Sequence, residues 1–182
     1  MTPLLASLET AFYAAARGTQ YASGRVADRT GTWLVSEAKA GRLSLRLNST
    51  MESVAQVEAA ADKLAAEAGL DDDQRFHVAM AAREAAVNAV LHGNEYDPAK
   101  QITANFENTG AALVITVADQ GHGLDPATLP DPLAPENLLR GTGRGIFLIR
   151  AFMDEVHFRQ LHPGTELTLI KHLAAGGPKA IE

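Results

Sequence analysis

The stretch Arg83-Glu84-Ala85-Ala86-Val87-Asn88-Ala89-Val90-Leu91-His92-Gly93-Asn94 reads as the end of a helix. Residues four apart on a helix are neighbours on one face, so Glu84, Asn88 and His92 are expected along a single edge. Met80, Val87 and Leu91 form an adjoining apolar stripe suited to a core. A carboxylate one turn from a carboxamide, beside such a stripe, is costly unless both face a polar cavity. In a cavity Glu84 is placed to act as a base, and the Asn88 side-chain oxygen to hold a hard cation. The stretch alone leaves the ordinary alternative open, in which both side chains are simply solvated.

Two further elements narrow the reading. Leu113-Val114-Ile115-Thr116-Val117-Ala118 has strand character and runs into Asp119-Gln120-Gly121-His122-Gly123-Leu124. An acidic residue at a strand end, followed by two glycines, lets the backbone pass close to a flat ligand. An ionised carboxylate only accepts hydrogen bonds, so Asp119 suits an exocyclic amino group such as that of adenine. Gly141-Thr142-Gly143-Arg144-Gly145 then leads into the helical pattern Ile146-Phe147-Leu148-Ile149-Arg150-Ala151-Phe152. Glycines at a helix start expose backbone N–H groups to an anion, and the helix dipole favours phosphate there. Each glycine motif by itself also reads as a tight turn or a flexible loop; the ordered set of the three is far less common.

These blocks resemble the N box and the two glycine boxes of the GHKL ATPase superfamily, and most of all the bacterial anti-sigma-factor serine kinases of the partner-switching type. The family's Glu-Ala-x-x-Asn-Ala-x-x-His-Gly is matched by Glu84 through Gly93. Its Phe-Met-Asp-Glu/Asp-Val is matched by Phe152-Met153-Asp154-Glu155-Val156, and its closing Gly-Thr strand by Gly164-Thr165-Glu166-Leu167-Thr168-Leu169. The resemblance spans about residues 41–173. It implies an α/β two-layer sandwich, in which a mixed, mainly antiparallel sheet carries helices on one face.

The residues themselves support that outline. Leu43, Leu45 and Leu47 alternate as in a half-buried strand. Ser49-Thr50-Met51-Glu52 reads as a capping box ahead of a helix whose core stripe is Val54, Val57, Ala61 and Leu64, with Gly69 as its stop. Asp71-Asp72-Asp73-Gln74 caps the helix carrying Glu84, and Asp97-Pro98 breaks the chain after it. Strands near 101–107 and 112–118 are joined by Asn108-Thr109-Gly110, and a helix over 144–153 precedes strands near 154–160 and 165–171. Residues 124–140, with Pro126, Pro130, Pro132 and Pro135, form a long aperiodic loop. In the resembling family it is the ATP lid, and its shortness fits the serine kinases. The chain divides at Gly41: residues 1–40 are an extension with one amphipathic stretch (Leu4 to Ala16), 41–175 the ATP-binding kinase domain and 176–182 a tail.

At 182 residues, 46% hydrophobic and 21% charged, the chain is long enough for one globular domain with a sizeable core. A net charge of −6 and the lack of any basic run argue against a nucleic-acid partner. There is no cysteine, so disulfides and thiol chemistry are excluded. No apolar run approaches the ~18 residues of a membrane span. Glu9 sits in an N-terminus without a positive region ahead of an apolar core, which is not the pattern of a signal peptide. A cytoplasmic protein that makes no membrane contact is expected.

The resemblance also implies a mechanism and partners. Asn88 would hold Mg²⁺ bridging the phosphates of ATP, and Asp119 would bind the adenine amino group with Thr165 nearby. Gly121, Gly123, Gly141, Thr142, Gly143 and Gly145 would wrap the nucleotide, His92 would touch a phosphate or cap its helix, and Glu84 would take the proton from an incoming serine. The chain has no Walker lysine, so Arg140 and Arg144 are the cations available to the γ-phosphate. Relatives carry their basic residue directly before the Ser/Thr-Gly, where this chain has Gly141, and the choice between the two arginines is open. His77, His157, His162 and His172 have no metal-ligand spacing, and Phe147, Phe152 and Phe158 are expected in the core. The implied function is an ATP-dependent serine/threonine-protein kinase and anti-sigma factor, a homodimer with a sigma factor and a STAS-type antagonist as partners. The alternatives are a histidine-kinase-like ATPase fragment and a non-catalytic nucleotide-dependent binding module.

Overall fold

A computed structural model of the protein describes residues 24–28, 31–39, 41–123 and 144–173; side chains are described from residue 41 on and, past the second glycine motif, from Gly145. The strands are β1 (Gly24–Asp28), β2 (Gly31–Lys39), β3 (Arg42–Asn48), β4 (Gln101–Asn108), β5 (Ala112–Ala118), β6 (Glu155–Gln160) and β7 (Thr165–His172). They form one sheet in the order β1-β2-β3-β4-β5-β7-β6, and all six ladders are antiparallel. Among the described residues, three α-helices, α1 (Met51–Glu67), α2 (Asp72–Val87) and α3 (Arg144–Phe152), complete the expected two-layer α/β sandwich. None of the described helices is long and apolar enough to cross a membrane.

The period-2 pattern puts Leu43, Leu45, Leu47, Ile102, Ala104, Phe106, Ile115, Val117, Leu167 and Leu169 on the buried face of the sheet. The opposite face is polar at its centre, where Ser44 Oγ donates to Asn105 Oδ1 at 2.6 Å and Asn105 Nδ2 donates to Thr116 Oγ1 at 3.0 Å. The edge strand β6 carries Glu155 and Arg159, charges that oppose pairing with another chain.

Helix α1 buries Val54, Val57, Ala61 and Leu64, the stripe read from sequence. Its N-cap is Thr50, whose hydroxyl accepts the Ser53 N–H at 3.3 Å, so the cap lies one residue later than the Ser49-Glu52 box expected for it. Asp71 and Gln74 do form a reciprocal capping box at the start of α2.

Three features depart from the sequence reading. No strand was expected ahead of Gly41, yet β1 and β2 extend the sheet there; Gly41, at φ +74°, is the turn between β2 and β3. The stripe of Met80, Val87 and Leu91 is only half-buried. The core face of α2 is instead Val78, Ala79, Ala81, Ala82, Ala85 and Ala86, small side chains that bring its backbone close to its neighbours. Finally, Phe147 is exposed rather than in the core, whereas Phe152 and Phe158 pack half-buried against it as expected; Phe152 also stacks on His77 with ring centroids 4.3 Å apart and an interplanar angle of 13°.

The alanine face sets a stability prediction. Ala82 is 0% exposed, so Ala82→Leu is expected to destabilise the fold by about 1–3 kcal/mol through overpacking, read as a lower urea midpoint. An unchanged midpoint would mean that α2 has room to move away from its neighbours.

Candidate functional site

Helix α2 does not run on regularly through the expected site. At Asn88 it widens into a six-residue π-helical segment, Asn88–Gly93, which the Asn94 N–H closes on the Ala89 carbonyl at 2.8 Å. Such π segments are rare and frequently mark functional sites. His92, four residues beyond Asn88 in this wider turn, is exposed.

Glu84 and Asn88 meet the start of α3. A methyl group on Gly145 would stand 2.8 Å from Glu84 Oε2 and 3.7 Å from Asn88 Oδ1, so only glycine fits here without displacing the carboxylate. From this corner α3 runs antiparallel along α2, with Phe152 reaching His77 near the other end. Asn88 Nδ2 is buried and has no hydrogen-bond partner. A buried donor left without a partner costs about 1–3 kcal/mol, so this amide is a candidate for a ligand contact.

The second half of the site surrounds Asp119, which is 8% exposed at the end of β5. Its Oδ1 accepts the N–H groups of Gly121 at 2.8 Å and Thr165 at 3.2 Å, and its own N–H donates to the Thr165 carbonyl at 3.0 Å. Both side-chain bonds reach Oδ1, so Oδ2 is the oxygen available to a ligand donor. Three glycines close around this carboxylate. A methyl on Gly93 would overlap the Asp119 side chain, one on Gly121 the Gly93 carbonyl, and one on Gly164, at φ +102°, the Asp119 carbonyl. Gly121 therefore packs against the π segment, whereas sequence had suggested only that it gives way to a ligand. Gly93 and Gly164 belonged to the motifs without having a role of their own; their tight contacts are long-range and leave no trace in local pattern.

The structure thus joins Glu84, Asn88 and Gly145 at one end of the π segment, and Asp119, Gly121 and Thr165 at the other. Gly123, at φ +88°, lies beyond Gly121 against Gln160 and the Gly164 carbonyl. Arg140, Gly141, Thr142 and Gly143, the aperiodic loop and the stretch Leu4 to Ala16 lie outside the described residues, as does the Arg144 side chain. Among the described residues no group of three acidic or histidine side chains is arranged to hold a metal.

With this geometry in hand, comparison with known proteins gives a consistent result. Residues 47–171 match the family described as Histidine kinase-like ATPase domain. The chain is 32% identical over 106 residues to an anti-sigma F factor of Anoxybacillus flavithermus, covering 56% of this chain and 71% of that protein. It is 31% identical over 137 residues to the anti-sigma F factor of Geobacillus kaustophilus, 91% of which is covered. It is 28% identical over 144 residues to the serine-protein kinase RsbW of Staphylococcus aureus, covering 75% of this chain and 90% of that one. Among solved structures, the crystal structure of the RsbU and RsbW domains of a Mycobacterium tuberculosis protein shares the fold, with a TM-score of 0.50 and 21% identity, covering 75% of this chain and 34% of that chain. The chain belongs to the histidine kinase-like ATPase family.

Burial holds the Asp119 carboxyl above the ordinary carboxylate range, opposed in part by the N–H groups of Gly121 and Thr165 and by Lys100. Its folded-state pKa thus exceeds the unfolded value. Ionised Asp119 destabilises the unliganded fold at neutral pH, and that cost disappears as pH falls below the unfolded value of about 3.9. Asp119→Asn is expected to raise the urea midpoint at neutral pH and to give no gain near pH ~3. A midpoint below wild type at neutral pH would show that the anion supports the unliganded fold.

Proposed function

We propose that this protein is an ATP-dependent serine/threonine-protein kinase and anti-sigma factor of a partner-switching module. In this reading it transfers phosphate to a serine of a STAS-type antagonist and, when the antagonist is absent, sequesters a sigma factor. The observation that carries it is the corner where Glu84, the unpartnered Asn88 amide and Gly145 meet, one π segment away from a buried carboxylate. The relatives named anti-sigma F factor and serine-protein kinase support the same reading.

In this assignment Asp119 Oδ2 accepts the adenine amino group, and Thr165 stands beside it. The N-terminus of α3 offers backbone N–H groups to the phosphates, with Arg140 or Arg144 as the side-chain cation and His92 near the chain of phosphates. Asn88 would hold Mg²⁺ through Oδ1, and the ion supplies charge neutralisation at the phosphates. Glu84 takes the proton from the antagonist serine as its oxygen bonds the γ-phosphorus and the bond to the β-phosphate oxygen breaks, leaving ADP. Phosphoserine brings a charge of about −1.5 to −2 next to Glu84, so like-charge repulsion favours release of the product. The released kinase, a homodimer, is then free to bind the sigma factor.

Phosphotransfer measured with a cognate antagonist tests the chemistry. Glu84→Gln keeps the shape but removes the base, so ATP still binds while transfer falls by about 10²-fold or more. Asn88→Ala is expected to lower both Mg²⁺-dependent ATP affinity and rate. Transfer at the wild-type rate by Glu84→Gln would make Glu84 a structural residue. Partner switching is tested by pull-down: the serine-to-aspartate antagonist should be retained far less than the unmodified one, and equal retention would falsify the switch.

A further inference from the structure

Behind Asp119 lies a hydrogen-bond ring that the reaction does not use. Asn94 is 0% exposed. Its Oδ1 accepts the Gln120 N–H at 2.8 Å, and its Nδ2 donates to the Gln101 carbonyl at 3.0 Å. The Gln101 N–H donates in turn to Gln120 Oε1 at 2.8 Å. The ring joins the residue after the π segment, the first residue of β4 and the residue after Asp119. We propose that Asn94 is a positioning residue for base recognition, setting the direction in which Asp119 presents Oδ2 to the amino group of a purine. The proposal rests on the reading of Asp119 as the adenine acceptor.

The geometry gives the reason. The β5 ladder ends at Ala118, and Asp119 is held by its exchange with Thr165. Past that point the backbone needs another anchor, and the first on the chain is the bond from Gln120 to Asn94. Gly93, next to Asn94, abuts the Asp119 carboxylate with no room for a methyl, and its carbonyl abuts Gly121. A slip of residue 120 relative to residue 94 therefore rotates the carboxylate or drives it into Gly93. Hydrogen bonds weaken steeply away from linearity, so such a slip is read directly in the strength of base recognition. A side-chain amide is what the position requires, because it offers an acceptor and a donor on one planar group.

A buried asparagine that satisfies two backbone groups also stabilises the fold, so the test reads discrimination between bases as well as melting temperature. ATP and GTP are titrated with Mg²⁺ into the full-length wild type, Asn94→Ala, Gln120→Ala and Asp119→Ala. The Gln120 side chain is exposed, so Gln120→Ala is expected to fold even where Asn94→Ala does not. The expected result is an ATP preference in the wild type that falls about tenfold in Asn94→Ala and by a smaller factor in Gln120→Ala, with the weak GTP affinity unchanged. Wild-type preference retained in both variants, with Asp119→Ala losing it, overturns the positioning role and leaves Asn94 a stability device. Equal affinity of the wild type for ATP and GTP overturns the Asp119 reading instead.

Discussion

The interaction on which the site depends is the burial of one carboxylate among three glycines. Asp119 sits where β5 ends, and Gly93, Gly121 and Gly164 approach so closely that none of them has room for a side chain. Two backbone N–H groups hold Oδ1 and offset part of the desolvation cost. The contact joins the end of α2, the end of β5 and the start of β7, so a single residue fixes the relative heights of the helical layer and the sheet. The carboxyl titrates above its usual range because that offset is incomplete. A ligand donor that reached Oδ2 would supply what is missing, which is the energetic basis for a polar ligand at this point.

The π segment provides the geometry for the rest. An α-helix carrying Glu84 and Asn88 towards α3 would present Gly93 at a fixed angle to the same axis. Widening the helix over Asn88–Gly93 uncouples the two ends, so Glu84 and Asn88 face Gly145 while Gly93 meets Asp119. Glu95 and Tyr96, at φ +56° and +58°, then continue in left-handed conformation, which is uncommon for residues with side chains. The buried Asn94 amide and the bond from the Tyr96 N–H to the Val90 carbonyl at 2.9 Å hold the chain through this turn. Local strain of this kind persists where surrounding contacts over-determine it.

What was legible in the sequence was what repeats. The alternation in β3, the hairpin of β4 and β5, the stripe of α1 and the Asp71–Gln74 cap follow from periods of 2 and 3.6 and from turn and cap chemistry, and the structure places each as read. The meeting of Glu84, Asn88 and Gly145 was legible as motif order. The core face of α2 was missed because alanine carries little weight in a hydrophobic pattern, although it permits the closest packing. The π widening was missed because it depends on a register shift that no periodicity encodes. β1 and β2 were missed because they lie in residues 1–40, outside the motifs that ordered the rest of the sequence, and their pairing to β3 is a tertiary event. The Asn94 ring is a set of bonds between residues 7, 19 and 26 apart in sequence, invisible until the fold brings them together.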